Sequence, residues 1–288
     1  MRGAYDPTSR FTANAWWRAW NSPDGPVTTR CTVTPADATA EVAAWGDGAS
    51  WALDHAPEWF GVVNDEPPFR SDHPVVAPLV HALPGLRLTR IRTVHDIAVP
   101  TVIEQRVTSL EARRTWARIV RRFGTRAPGP ADLYVAPAPS VLATLADHTR
   151  HSMGLEYRRG STISLVANEA RRLDRAAALD SDALTRRLGM LRGVGPWTVA
   201  TVVHYVQGDP DAVPVGDWHL PSMVAWALAG EHKADDARML ELLEPFRPHR
   251  ARVWRLIVAG APMPPRRTPR ARIEDRLRKE RHHAYALR

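Results

Sequence analysis

The chain has 288 residues, 44% of them hydrophobic, enough to bury a sizeable core in one large domain or two smaller ones, and two are expected. No uninterrupted apolar run reaches membrane-spanning length, and the opening MRGAYDPTSRF lacks the apolar segment of a secretory signal, so the expectation is a soluble, cytoplasmic, monomeric protein with no membrane partner. A single cysteine, Cys31, excludes an internal disulfide, a multi-cysteine zinc site and a four-cysteine iron–sulfur cluster, while a net charge of +8 suggests an acidic partner.

Residues 1 to 94 are rich in proline, tryptophan and threonine, and short alternating pieces such as TRCTVTP and LRLTRI read as strands between loops. From 95 onward the pattern turns helical. Ile103, Val107 and Leu110 recur at helical spacing, as do Ile163, Val166, Ala170, Leu173 and Ala177, and then Leu184, Leu188 and Leu191. Val199, Val203 and Val206 continue the series, followed by Leu220 to Leu228, Met239 to Phe246 and Val253 to Val258. Pro196, Pro221 and Pro248 mark helix starts, where the missing N–H does no harm. The expected architecture is α+β: a sheet-containing N-terminal domain (1–94), an all-helical domain (95–261) and a basic tail (262–288). That tail holds nine Arg and Lys against three acids, so most of the net charge lies outside the body. It reads equally as a salt-sensitive, non-specific DNA-binding segment and as a disordered solubility tail, with a short helix around Ile273 to Arg281.

Within the helical region, LRGVGPWTVATVV (residues 191–203) places two glycines, a proline and a tryptophan inside an otherwise helical run. Glycine in a helix costs about 1 kcal/mol relative to alanine, so Gly193 and Gly195 mark a turn between two helices, with Pro196 opening the second. Small residues let the turn approach a ligand closely, and free N–H groups at the next helix start favour an anion such as a DNA phosphate. A plain connection between packed helices has the same sequence signature, and Val194 at the tip packs in either case. Asp217 follows 22 residues after Gly195 in VPVGDWHLP, just before an apolar helix. It reads as a helix cap or as a catalytic carboxylate.

The combination of LRGVGPWTVA and VPVGDWHLP at this spacing resembles the helix–hairpin–helix DNA glycosylase superfamily, and within it the alkyladenine branch, DNA-3-methyladenine glycosylase II. Upstream VIEQRVTSLEARRTW and GLEYRRGSTISLVANEA and downstream LLEPFRPHRARVWRLI are similar to the same family, which extends the resemblance over roughly residues 96–260. It implies Asp217 as the catalytic aspartate, and a DNA-binding surface made by Gly193, Val194, Gly195 and Thr198 of the hairpin with Gln105 and Arg106. It also implies a monovalent cation, Na or K, held by the backbone carbonyls of Gly189, Leu191 and Val194; no cofactor is required. Trp197 falls where lyase-competent branches place a lysine. Tryptophan forms no Schiff base, so the implied enzyme is a monofunctional hydrolase that excises alkylated purines from double-stranded DNA containing damaged bases.

One carboxylate suits that chemistry. A cationic alkylated purine leaves readily, and the oxocarbenium-like sugar needs a nearby negative charge and an oriented water. Trp197, Trp218 and Trp254 are the candidate base-pocket aromatics, each with a core-packing alternative. The sequence departs from the family pattern at Val258, where a tryptophan is usual and Trp254 lies one turn earlier, and at Arg106, where an aliphatic wedge is usual. His219 reads as structural more readily than as a contact to phosphate or water, His204 as a packing or surface residue, and Arg158 and Arg159 as DNA contacts or a solvated face. Two rival functions stay open: a non-catalytic DNA-binding or damage-sensing protein of the same fold, and a glycosylase for oxidised or mismatched bases.

Overall fold

The computed structural model describes residues 6–34, 36, 39–62 and 69–264; the expected helix in the basic tail lies outside them. The chain opens with an antiparallel meander of β1 (Ser9–Phe11), β2 (Ala15–Ser22), β3 (Gly25–Thr34) and β4 (Thr39–Trp45), paired in that order. Strand alternation sends Trp20 and Val27 to one face, where α1 (Ala49–Trp59) covers them with Ala52, Ala56 and Trp59. The Trp20 and Trp59 rings meet edge to face at 4.9 Å. Ala19, on the opposite face, packs against Leu133 and Val135.

Those two residues belong to a short hairpin, β5 (Thr125–Arg126) and β6 (Tyr134–Val135), so the region expected to be all-helical contributes a two-stranded piece that closes the sheet's second face. Tyr134 N–H donates to Pro7 O at 2.9 Å, tying the two regions together.

The remaining elements are helices: α2 (Val76–Ala82), α3 (Val94–Glu104), α4 (Ser109–Phe123), α5 (Pro139–Thr144), α6 (Asp147–Ser152), α7 (Tyr157–Asn168), α8 (Ala170–Leu179), α9 (Ser181–Gly189), α10 (Pro196–Gln207), α11 (Leu220–Ala229), α12 (Asp236–Leu243) and α13 (Arg250–Gly260). They build two cores. In the first, α3 is buried on nearly every side, and Ile103, Ile119, Ile163, Leu173, Leu184 and Val202 interlock around it. The second unites Val76, Val224, Met239, Leu243, Trp254 and Ile257 from α2, α11, α12 and α13. Thus α2, assigned from sequence to the N-terminal domain, packs on α13 instead, because its apolar face completes the second helical core.

Three other expectations are corrected. LRLTRI forms no strand; the N–H groups of its last residue, Ile91, and of the next, Arg92, donate to Tyr205 O and Val206 O at the end of α10. The run through Ile103, Val107 and Leu110 is not one helix. It breaks between Gln105 and Thr108, where Arg106 takes a left-handed φ of 54° and Thr108 caps α4 by accepting Glu111 N–H. Pro196 and Pro221 do open helices, whereas α13 begins two residues after Pro248. Among the described residues, no helix is long and apolar enough to cross a membrane.

Candidate active site

α9 and α10 form the expected pair of helices around a turn at residues 190–195. The two glycines have different reasons to be there. Gly193 sits at φ 88°, and a Cβ on it would lie 2.0 Å from Thr162 Oγ1 of α7, so the fold itself requires glycine. Gly195 has an ordinary extended backbone (φ −92°, ψ 178°), and a Cβ there would meet nothing within 4 Å. Both glycines mark the turn, as expected, but the fold itself demands only Gly193, and Gly195 leaves open space above the start of α10. Val194 is buried in the first core. The space beside Gly189 is also open, and Leu191 O accepts Val194 N–H at 3.0 Å, which leaves that carbonyl a second lone pair.

A second turn meets the hairpin. Gln105 Nε2 donates to Gly193 O at 3.0 Å and to Thr198 Oγ1 at 2.9 Å. Thr198 is 2% exposed, so its side chain, expected on the DNA surface, is a buried internal acceptor instead. Arg106, the next residue after Gln105, is exposed. Arg159 is also reassigned: it is buried, with Nη1 donating to Ile103 O at 3.0 Å near the end of α3, so it holds the turn from inside. Arg158 is exposed.

Asp217 lies in the loop that leads from α10 in the first core to α11 in the second. Its carboxylate is half-buried and held on both oxygens. Oδ1 accepts the His219 and Leu220 N–H groups, each at 2.8 Å, at the start of α11, and Oδ2 accepts Trp197 Nε1–H at 3.0 Å. The same loop is pinned by Asp236 of α12, whose two oxygens accept Gly216 N–H at 3.0 and 3.1 Å. No sequence signal marked Asp236, because an aspartate in the first turn of a helix is common for its own sake.

The three candidate tryptophans separate. Trp254 is 7% exposed, donates Nε1–H to Ala212 O at 3.0 Å and packs against His204. It is a core residue supporting the loop, which corrects its expected place in the base pocket. Trp197 is half-buried with its N–H on Asp217. Trp218, beside Asp217, is 90% exposed. His204 is buried, its Nδ1 3.3 Å from Asp209 O, and burial pulls its pKa down to about 4; His219 is exposed.

The fold that carries this site has solved counterparts. A 3-methyladenine DNA glycosylase from Archaeoglobus fulgidus superposes with a TM-score of 0.71 at 18% identity, covering 88% of each chain. The chain has the helix–hairpin–helix DNA glycosylase fold. A Clostridium acetobutylicum 8-oxoguanine glycosylase/lyase in complex with double-stranded DNA shares this glycosylase fold, with a TM-score of 0.62 at 12% identity over 86% of this chain and 95% of that one. In sequence, the chain is 22% identical over 169 residues to a Bacillus subtilis protein provisionally described as a DNA-3-methyladenine glycosylase. That match takes in 57% of this chain and 58% of the relative, so it spans less than two thirds of the relative's length. No family model matches. The same fold is thus shared by a 3-methyladenine DNA glycosylase and an 8-oxoguanine glycosylase/lyase.

Proposed function

We propose that the protein is a monofunctional DNA glycosylase that hydrolyses the N-glycosidic bond of alkylated purines of the 3-methyladenine type in duplex DNA. The observation that carries this reading is the Asp217 carboxylate, fixed on both oxygens in the loop between the two helical cores, with a tryptophan in place of an amine nucleophile as its neighbour. The open backbone at Gly195 suits a DNA phosphate. Arg106, exposed on its left-handed turn, suits the gap left by a flipped nucleotide, and Trp218 offers a free aromatic face to a cationic base. The carbonyls of Gly189, Leu191 and Val194 are neutral, hard oxygen donors, with open space beside Gly189, a donor set that fits an alkali cation; such an ion would supply positive charge near a bound phosphate.

In this mechanism the C1′–N bond breaks first and its electron pair leaves with the cationic base, which becomes neutral. The Asp217 charge stabilises the oxocarbenium-like sugar. Water then bonds to C1′ and gives up a proton, leaving an abasic site. A departing base that already carries positive charge needs no strong acid. The test is release of bases from methylated duplex DNA by wild type and by Asp217→Asn, with each base identified by chromatography. Release of 3-methyladenine by wild type, lost in a folded, DNA-binding mutant, supports the proposal. A folded wild type that binds DNA and releases no base overturns it in favour of a binding protein, and selective release of an oxidised base moves the assignment to that substrate class.

A further inference from the structure

We infer that Trp197 is a positioning residue for the Asp217 carboxylate, and that its indole N–H, more than its ring face, is what the reaction needs. The inference rests on the glycosylase reading of the site. Its starting point is the acceptor inventory of one side chain. A carboxylate offers about four lone-pair directions, two on each oxygen. On Asp217, Oδ1 is taken twice, by the N–H groups of His219 and Leu220 at 2.8 Å, and Oδ2 once, by Trp197 Nε1–H at 3.0 Å. Among the described residues, one direction remains, on Oδ2. The indole therefore decides which way the open lone pair points, and with it where a single attacking water can sit.

The two anchors on Asp217 are not equivalent. The α11 amides fix Oδ1, but a carboxylate held only there keeps freedom to rotate about its terminal torsion, which is broad for aspartate. The Trp197 bond on the other oxygen removes that freedom. The indole is itself well placed to do so. It is half-buried on α10, one residue after the proline that opens the helix, and Gly216, next to Asp217, runs so close to it that a Cβ on the glycine would stand 3.7 Å from the Trp197 Cβ. Asp236 holds Gly216 N–H from the other side. Two neighbouring residues of the loop are thus gripped from two different helices, and of these two grips the one from Trp197 acts on the carboxylate itself.

A ring that merely stacks on the base and a ring that donates to Asp217 respond differently to Trp197→Phe, which keeps an aromatic face and deletes the N–H. The experiment measures single-turnover excision on a duplex containing one alkylated purine, together with Kd for the same duplex and thermal stability, for wild type, Trp197→Phe and Trp197→Ala. Positioning predicts that Trp197→Phe loses roughly 10- to 100-fold in the excision rate constant, with Kd and Tm close to wild type, because misorienting a catalytic group acts on the chemical step. An unchanged rate in Trp197→Phe overturns the inference, and so does a loss confined to Kd, which would make Trp197 a binding wall. A second measurement is independent of activity and of whether the Trp197 variants fold. In spectra of 15N-tryptophan-labelled protein, one of the 11 indole N–H resonances is expected to move upfield in Asp217→Ala as its carboxylate acceptor is lost; a spectrum in which none moves would overturn the contact. A wild type that releases no base while that resonance still moves removes the glycosylase reading and leaves the hydrogen bond standing as a structural one.

Discussion

Gln105 and Thr198, 93 residues apart, are joined by a 2.9 Å hydrogen bond that locks the turn after α3 to the first turn of α10. Because Gln105 also donates to Gly193 O, the exposed Arg106 and the open backbone at Gly195 belong to one rigid unit rather than to two independent loops. On the proposed reading, a duplex gripped at the hairpin would meet Arg106 at a fixed offset. The left-handed backbone at Arg106 follows from this, since the chain must reverse within a few residues to start α4 at Ser109.

Arg106→Gly separates strain from function. A non-glycine residue in the left-handed region costs about 1–2 kcal/mol, partly offset by the greater freedom of glycine in the unfolded chain, so stability is expected to stay level or rise. Excision from a fully paired duplex is expected to fall about tenfold, roughly 1.4 kcal/mol of barrier. Excision of the same lesion from single-stranded DNA should change little, since no gap needs filling. Equal losses on both substrates would show that Arg106 acts elsewhere than in the stack.

The hairpin glycines are expected to fail in opposite ways. Gly193→Ala forces a left-handed alanine against Thr162 Oγ1, and a loss of about 2 kcal/mol or more in urea unfolding is expected. Gly195→Ser adds a good helix-capping residue in open space, so stability should hold. Its DNA affinity should nevertheless drop roughly tenfold, as one charge-assisted hydrogen bond to phosphate is obstructed. Undiminished affinity in Gly195→Ser would remove the hairpin from the DNA contact.

Asp217 caps the start of α11 and, on the proposed reading, also carries the chemistry, and its variants divide the two. Asp217→Ala leaves the His219 and Leu220 amides without their acceptor and is expected to cost about 1 kcal/mol of stability. Asp217→Asn keeps an oxygen for those amides but turns an NH2 toward Trp197 Nε1–H. It should be nearly as stable as wild type and yet lose most base release. Calorimetry alongside the release assay checks both halves.

Trp218→Ala tests the aromatic that the fold leaves unused. At 90% exposure it contributes little to folding, so unfolding free energy should move by less than about 0.5 kcal/mol. Stacking of a base on an aromatic ring is worth about 1–3 kcal/mol, so binding of lesion-containing duplex should weaken tenfold or more, against a smaller loss for undamaged duplex. Identical losses on both would deny it a role in recognising the flipped base.

The site was legible in sequence where a residue's chemistry and its spacing coincide. Gly193, Pro196 and Asp217 are of this kind, because a left-handed turn, a helix start and a capping carboxylate each restrict the residue type. The break at Arg106 was hidden, since arginine carries no turn signal and Ile103, Val107 and Leu110 keep helical spacing straight across it. The burial of Trp254 and Thr198 was hidden for another reason. Both satisfy their polar groups through partners 42 and 93 residues distant, on Ala212 and Gln105, and such pairings exist only once the helices have packed. The place of α2 in the second helical core was equally invisible, because an apolar face does not name its partner.

Acid should weaken the fold through two histidines that the proposed chemistry does not use. Burial lowers the pKa of His204 and of His95 from 6.5 to about 4, so each stays neutral in the native state over a range where the unfolded chain takes up a proton. Between pH 6.5 and 4 the unfolded state therefore binds more protons than the folded one, and stability must rise with pH there. Read downward, stability begins to fall as pH drops below about 6.5 and the contribution levels off near 4, with a full effect on the order of 3 kcal/mol per histidine. His204→Asn keeps an N–H donor for Asp209 O and removes the titration. Urea unfolding of wild type and variant at about pH 7.5, 6, 5, 4.5 and 3.5, chosen to bracket about 6.5 and about 4, is expected to give a shallower slope of stability against pH in the variant. Parallel slopes would mean that His204 is not held neutral by the core, and that the packing of Trp254 on its ring is looser than the 4.9 Å contact indicates.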